Sequence, residues 1–298
     1  MAQWSIKQAL GCLIGSVCLT LCCSVGGYVF WQHHKEQRLL DEKYNICAIV
    51  QTGPEKEALK TAYLAELLDL SIDKPTSLYA FHCRKAERKL LSSPLISHAA
   101  IKRLDLGAIY IDYEVRKPVA ILADYKNIAI DQDGYLFPMA PFFSPKEIPE
   151  IYLGLPAFGL AEDAFGRKGG QWLVPMQNRF LTLAFEILHF LDEVPWREGF
   201  RVKRIDVSNA FAPSLGQREV VLSTEEEVII KEGVICVFPK FLRLAPQDYA
   251  KQISHFCLLR RNMEEDYRRQ LSFCTESKRF TNRIIDLRIP QLAFIEDR

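Results

Sequence analysis

The sequence of 298 residues predicts an α+β protein with a single N-terminal transmembrane helix, a βααββ module and a mixed β-rich domain that carries two or more helices. Three observations predict this class. A charge-free apolar run covers residues 9–31. Strand, helix, helix, strand and strand patterns follow one another over residues 44–121. Short alternating segments, broken by glycine and proline, then recur from residue 122 to the C-terminus.

The N-terminal run is long enough to cross a membrane. Residues 9–31 include no charged side chain, and a helix of that length reaches roughly 35 Å at about 1.5 Å per residue, against a hydrocarbon core of about 30 Å. A cleaved signal peptide is the alternative, but the run exceeds a usual signal core and no A-x-A site follows it. We therefore expect a short tail over residues 1–8, a retained helix and a polar linker over residues 32–43.

The first module is predicted from changes in the apolar period. Its first segment alternates and is rich in β-branched side chains, which is typical of a strand. Two segments then place apolar residues at helical spacing, and Ser77 stands where an N-cap would begin the second. Two further alternating segments follow. The strands are predicted over residues 44–52, 96–106 and 108–115, and the helices over residues 55–70 and 77–91.

The larger region, residues 122–298, combines short strands with two helices. The clearest helix covers residues 176–194, where apolar side chains form one stripe, and a second is expected over residues 247–262. The last strand is expected over residues 283–295, interrupted at Pro290, which has no main-chain N–H to donate to a sheet. Other strands are expected over residues 127–130, 135–137, 201–208, 218–223 and 227–231.

Composition and motifs favour a protein without catalytic chemistry. Lysine and arginine number 38 against 37 aspartates and glutamates, and this net charge of +1 gives no electrostatic basis for binding nucleic acid. Ser71 and Lys74 fit the S-x-x-K pattern, but the S-D-N and K-T-G motifs that accompany it in penicillin-interacting enzymes are absent. No P-loop, G-x-S-x-G or H-E-x-x-H motif occurs. We expect no enzyme activity, cofactor, metal site or small-molecule substrate.

Nine cysteines divide between the apolar run and the rest of the chain. Five lie beyond the run, and an odd number excludes complete pairing within one chain. An oxidising compartment would permit a bridge between Cys47 and Cys83, and free buried thiols are the other interpretation. The five are Cys47, Cys83, Cys236, Cys257 and Cys274.

Two groups of motifs resemble a known family. An E-x-R-x-P-V-A segment begins at Glu114, and an I-D-x-x-G-x-x-F-P segment begins at Ile130. Near the C-terminus, residues 284–288 read I-I-D-L-R. In this order and at this spacing the motifs resemble the bacterial cell division family FtsQ, called DivIB in Gram-positive bacteria, over about residues 43–295.

The resemblance implies a non-catalytic divisome scaffold that links early and late division proteins and helps control septal peptidoglycan synthesis. It implies a POTRA module over residues 44–121 and an FtsQ-like β domain over residues 122–298. The protein would be anchored in the cell inner membrane at the septum, with a cytoplasmic N-terminus and a periplasmic bulk, although the lysine and arginine counts on the two flanks favour the opposite orientation. A POTRA-containing component of an outer-membrane protein assembly or secretion system is the alternative function.

The family resemblance also implies a structural joint between the two domains. In this sequence it would consist of Arg116, Pro118, Asp131 and Gly134. The residue types of the last two independently favour a tight turn, because aspartate bonds its own main chain and glycine accepts positive φ.

The closing strand is the implied partner-binding site. FtsB/FtsL-like division proteins, among other divisome components, would add a strand to its exposed edge. The pair Asp286 and Arg288 also allows a simpler interpretation, as surface residues that set strand register. Pro290 removes one ladder N–H, and Leu292 and Phe294 are bulkier than the small side chains often found in this strip of the family. The partner-binding residues are Ile285, Asp286, Leu287, Arg288, Ile289, Leu292 and Phe294.

Overall fold

The chain folds into α+β structure with mixed sheets, as predicted. The computed structural model describes residues 6–53, 57–105, 107–156, 173–194, 200–231, 234–271 and 276–297. The chain divides into two compact units, Met1–Val115 and Arg116–Arg298. The boundary between the two units therefore lies after residue 115, at the end of a strand, whereas the sequence predicted the first module to end at residue 121.

The predicted transmembrane helix over residues 9–31 is corrected by the structure. A helix does form there, α1 (Ile6–Leu40). Among the described residues, however, no helix has both the length and the apolar character that crossing a membrane requires. Four glycines and three hydroxyl residues interrupt the run and add little apolar surface. Two of those hydroxyls, on Thr20 and Ser24, donate back to the carbonyl oxygens of the preceding turn at 2.8–3.0 Å.

The first unit continues with the predicted order of strand, helix, helix, strand and strand. Both helices are shorter than predicted. The second begins only at Cys83, because Ser77 lies in an isolated bridge and residues 78–80 form a turn. Ser77 forms an isolated bridge with Asn45, and the N–H of Leu78 donates to the carbonyl of Tyr44 at 2.8 Å, so Ser77 does not cap a helix. The elements are β1 (Ala48–Thr52), α2 (Thr61–Leu67), α3 (Cys83–Leu90), β2 (Ile96–Arg103) and β3 (Ala108–Val115).

These strands form a three-stranded sheet in the order β1-β3-β2. Strand β3 lies in the centre, parallel to β1 and antiparallel to β2. Its alternate residues Ile109 and Ile111 are fully buried, as are Leu64 of α2 and Leu90 of α3. The alternation that predicted β3 is therefore the packing of one sheet face against the two helices.

The second unit is built on a ten-stranded mixed sheet. The strand order is β13-β12-β10-β9-β8-β7-β4-β5-β6, and β11 also pairs with β10. The strands are β4 (Ala120–Leu122), β5 (Ile128–Ile130), β6 (Leu136–Pro138), β7 (Glu150–Tyr152), β8 (Phe200–Asp206), β9 (Val220–Lys231), β10 (Val234–Leu244), β11 (Lys278–Arg279), β12 (Arg283–Asp286) and β13 (Phe294–Asp297).

Two helices contribute to the core of this unit, α4 (Arg179–Glu193) and α5 (Tyr249–Leu271). Asn178 caps α4, because its side-chain oxygen accepts the N–H of Leu181 at 2.7 Å. Ile187 of α4 and Phe256 of α5 are fully buried in one apolar cluster with the sheet. The helices thus pack on the sheet, and within the described residues its two end strands, β6 and β13, each pair with a strand on one side only.

Cys18, Cys22, Cys23, Cys47, Cys83, Cys236 and Cys257 form no disulfide in the part of the chain that the structure describes. Cys47 is exposed, Cys83 and Cys257 are partly buried, and Cys236 is buried. Cys274 lies outside the described residues. The structure thus contains no bridge between Cys47 and Cys83.

Candidate functional site

Strand β13 is the outermost strand at one end of the ten-stranded sheet. It pairs antiparallel with β12, and in the part of the chain that the structure describes no strand lies on its other side. All four of its residues are exposed. The predicted closing strand is therefore two strands joined by a turn, and the second of them forms the edge.

Two residues of the predicted strip lie in the core. Ile285 of β12 is fully buried, because it belongs to the apolar cluster that packs on the sheet. Leu287 follows β12 and is also buried. Their side chains support the edge hairpin from beneath and do not face a docking partner.

The predicted pair Asp286 and Arg288 forms a local ion pair. The guanidinium of Arg288 donates to the Asp286 carboxylate, with a distance of 2.7 Å from Nη2 to Oδ2, and the main-chain N–H of Arg288 donates to Oδ1 at 3.1 Å. Arg243 of β10 lies 3.4 Å from the same carboxylate. Burial alone would raise the pKa of Asp286, but the hydrogen bonds from Arg288 outweigh it and lower the pKa. The pair fixes the start of the turn.

The turn itself carries the exposed apolar surface. Ile289 is 50% exposed, Leu292 57% and Phe294 63%. Gln291 has a φ of 64°, in the left-handed region that glycine adopts more readily. These residues project from the molecule where an apolar partner could cover them.

A groove of about 370 Å³ separates this turn from helix α5. One wall of the groove is formed by Lys251, Gln252 and His255 in the N-terminal half of α5. The other wall is formed by the segment 287–293. The Gln252 side chain accepts the N–H of Ala245 at 2.8 Å, so it fixes the start of the helix. The groove and the edge strand, which follow one another along the chain, form a candidate docking surface, defined here as β13, the turn 287–293 and the N-terminal half of α5 and called the docking surface below.

The joint residues come together within the second unit. Arg116 and Asp131 form an ion pair with 2.8 Å between Nη1 and Oδ2, and their side chains are only 11% and 6% exposed. The other carboxylate oxygen accepts the main-chain N–H groups of Asp133 and Tyr135 at 3.1 and 2.8 Å. The guanidinium also lies 3.7 Å from the centre of the Tyr135 ring. This arrangement closes the turn between β5 and β6.

Pro118 and Gly134 complete the same structure. Pro118 lies between β3 and β4, immediately before Val119, whose N–H donates to the carbonyl of Ile130 at 2.9 Å. Gly134 has a φ of 86°, and a Cβ added there would lie 2.9 Å from the carbonyl oxygen of Met176. The joint residues thus stabilise the turn between β5 and β6, and the role that their contacts indicate is structural.

A buried cluster of charges was not predicted from the sequence. Glu226 of β9 accepts hydrogen bonds from Lys240 of β10 and Arg260 of α5, and all three side chains are buried. Burial would raise the pKa of Glu226, but the bond from Arg260 and the charge of Lys240 lower it. Burial lowers the pKa of Lys240. Because Arg260 lies on the helix that lines the groove, the cluster fixes one wall of the docking surface.

The described residues contain no group of three or more histidine, cysteine, aspartate or glutamate side chains that could hold a metal ion. The comparisons with known proteins are also negative: no family model matches the sequence, and no curated protein matches it. The geometry of the docking surface therefore carries the functional argument alone.

Proposed function

We propose that this protein is a non-catalytic docking protein of the bacterial division machinery, resembling FtsQ/DivIB, and that it binds an extended segment of a partner along β13. The observation that carries the proposal is the exposed edge of β13. Strand addition draws its affinity from unpaired main-chain groups, and alternate side chains provide specificity.

The apolar half of this edge, Phe294 and Ile295, supports the proposal; the other half, Glu296 and Asp297, is acidic, and Asp297 pairs with Arg283 of β12. Natural sheets usually protect an edge strand with a covering element, a proline or inward-facing charge, since an open apolar edge promotes aggregation. Here the strand is exposed and begins at Phe294, next to the exposed turn that carries Leu292. A partner that covers the strand would remove both the open main-chain groups and the apolar surface from water.

The groove provides room for more than a strand. A segment that continues beyond the added strand would meet α5, where Lys251 and His255 border the apolar Leu259. Small coiled-coil division proteins of the FtsB/FtsL kind combine helical and extended segments, and we propose that such proteins are the partners. The protein would then act at the division septum by bringing them together.

A double charge introduction at the edge tests this function. Leu292→Glu combined with Phe294→Glu should abolish co-purification of the partners from crosslinked dividing cells, because two carboxylates would be desolvated in the interface. Both positions are exposed, so the free energy of unfolding should change by less than about 0.5 kcal/mol. A fluorescent fusion of the protein should also accumulate at the division site.

The matched control is Ile72→Glu with Ile229→Glu, which places the same charges at two exposed apolar residues outside the docking surface. This control should retain the partners. Partner recovery that survives the first variant would refute docking on β13, and uniform distribution of the fusion in dividing cells would refute the role in division.

A further inference from the structure

Helix α3 in the first unit carries three cations for which no acidic partner lies among the residues that the structure describes. Arg84, Lys85 and Arg88 are exposed, and none of them forms an ion pair with another described residue. The neighbouring Lys89 does have a partner, the carboxylate of Asp69. An unpaired basic surface on one short helix is a place where an acidic ligand can bind.

The arginines share one face of the helix. Ala86 and Leu90 are buried and mark the face that packs on the sheet. Arg84 and Arg88 are four residues apart and therefore lie one turn apart on another face. The Nε of Arg88 donates to the carbonyl of Arg84 at 3.3 Å. Leu91 follows at the next position of the same face and is 38% exposed. Arg84, Arg88 and Leu91 are called the basic stripe below.

The acidic residue within this helix is engaged elsewhere. A carboxylate oxygen of Glu87 accepts the main-chain N–H of Ile101 in β2 at 2.9 Å. This bond occupies a main-chain group at the edge of the three-stranded sheet. Two residues further along β2, at its C-terminal end, Arg103 donates to the carbonyl of Phe81 at 2.6 Å. The helix is therefore held firmly against the strand, while the basic stripe faces water.

We propose that the basic stripe binds an acidic segment of a partner protein, with one carboxylate on each arginine and an apolar side chain on Leu91. This surface lies in the first unit and does not depend on docking at β13. A guanidinium can bond a carboxylate through two parallel N–H groups, which a lysine cannot do.

A polypeptide fits the stripe better than a nucleic acid or a lipid surface does. Seven residues of helix separate Arg84 from Leu91, which is about 10 Å of length. That length suits two side chains and an anchor of a peptide, whereas nucleic acid binding draws on many phosphate contacts. The net charge of the whole chain is only +1, which gives no general electrostatic attraction toward a polyanion.

Binding of defined peptides to the full chain tests the proposal. A fluorescent peptide of repeated Glu-Glu-Leu triplets should bind, as followed by anisotropy, and the affinity should fall as salt is raised through about 0.1 M, where the screening length is about 10 Å. Arg84→Glu with Arg88→Glu should weaken binding at least about tenfold. The milder Arg84→Gln with Arg88→Gln should also weaken it, which guards against a folding defect in the first variant.

A charge-matched control variant and a peptide of the opposite charge make the test specific. Lys60→Glu with Lys74→Glu changes two exposed lysines of the same unit and should alter affinity less than about twofold. A Lys-Lys-Leu peptide should bind the Arg84→Glu, Arg88→Glu variant more tightly than the natural chain. Equal losses in both glutamate variants, no binding of the acidic peptide, or binding only to vesicles that contain phosphatidylglycerol would overturn the proposal.

Discussion

The two hairpins at the ends of the ten-stranded sheet differ in how their edges are protected. The β5–β6 hairpin ends in Pro138, which has no N–H to offer a further strand. Phe137 within β6 is fully buried and packs against Phe143, with 5.6 Å between the ring centres. The β12–β13 hairpin has its outer strand fully exposed. One edge is thus closed by its own chain, and the other is open.

The turns of the two hairpins show the same difference. The β5–β6 turn places glycine at its position of positive φ, Gly134, and locks the turn with the buried pair Arg116 and Asp131. The β12–β13 turn places Gln291 at positive φ, where a side chain is strained. Its aspartate, Asp286, bonds Arg288 in a half-buried position.

This contrast separates stability from binding within one sheet. Residues at the closed end contribute packing and buried hydrogen bonds, so their replacement should unfold the unit. Residues at the open end are exposed, so their replacement should leave the fold intact and change docking. Strain that is retained at an exposed turn is typical of a functional surface.

The largest expected difference is between Phe137 and Phe294. Phe137→Ala removes a fully buried ring and should lower the free energy of unfolding by about 3–5 kcal/mol, because it leaves a cavity. Phe294→Ala should change it by less than about 0.5 kcal/mol and weaken partner binding instead. Urea denaturation of both variants measures the first effect. Equal destabilisation by the two changes would mean that β13 is packed and not open.

The second largest difference in stability is expected between replacements of Asp131 and Asp286. Asp131→Asn leaves the guanidinium of Arg116 buried without its counter-charge and should destabilise by about 3 kcal/mol. Asp286→Asn breaks a more exposed pair and should cost about 1 kcal/mol. Chemical denaturation of both variants at neutral pH compares them directly. A larger loss of unfolding free energy for Asp286→Asn than for Asp131→Asn would contradict the conclusion that the closed end holds the more stabilising ion pair.

The sequence predicted those elements whose signal is local. The order of elements in the first unit is found as predicted, because alternation marks the half-buried β3 and helical spacing marks α2 and α3. The helix ends were placed wrongly where an extended segment pairs with distant residues, as Ser77 does with Asn45. The absence of charge over residues 9–31 predicted a helix, but the inference that it crosses a membrane is not supported.

Long-range pairing explains what the sequence missed. Residues 218–223 and 227–231 were predicted as separate strands, with Thr224, Glu225 and Glu226 left between them. The structure has one strand, β9, since Glu226 is buried against Lys240 and Arg260 from two other elements. The split of the closing strand into β12 and β13 was missed for a related reason. Pro290 indicated an interruption, but only pairing with β10 decides which half becomes the edge.

The smallest effects on stability are expected at the turn residues Gly134 and Gln291, and the two effects should have opposite signs. Gly134→Ala forces a side chain into positive φ and places its Cβ 2.9 Å from the Met176 carbonyl oxygen, so it should destabilise by about 1–3 kcal/mol. Gln291→Gly relieves the strain at the other turn, and its stabilisation should be at most about 1 kcal/mol, since glycine also gains freedom in the unfolded chain. Thermal and urea unfolding of the two variants measure both effects. If Gln291→Gly instead destabilised the protein, contacts of that side chain would hold the turn, and the open edge would be more rigid than its exposure indicates.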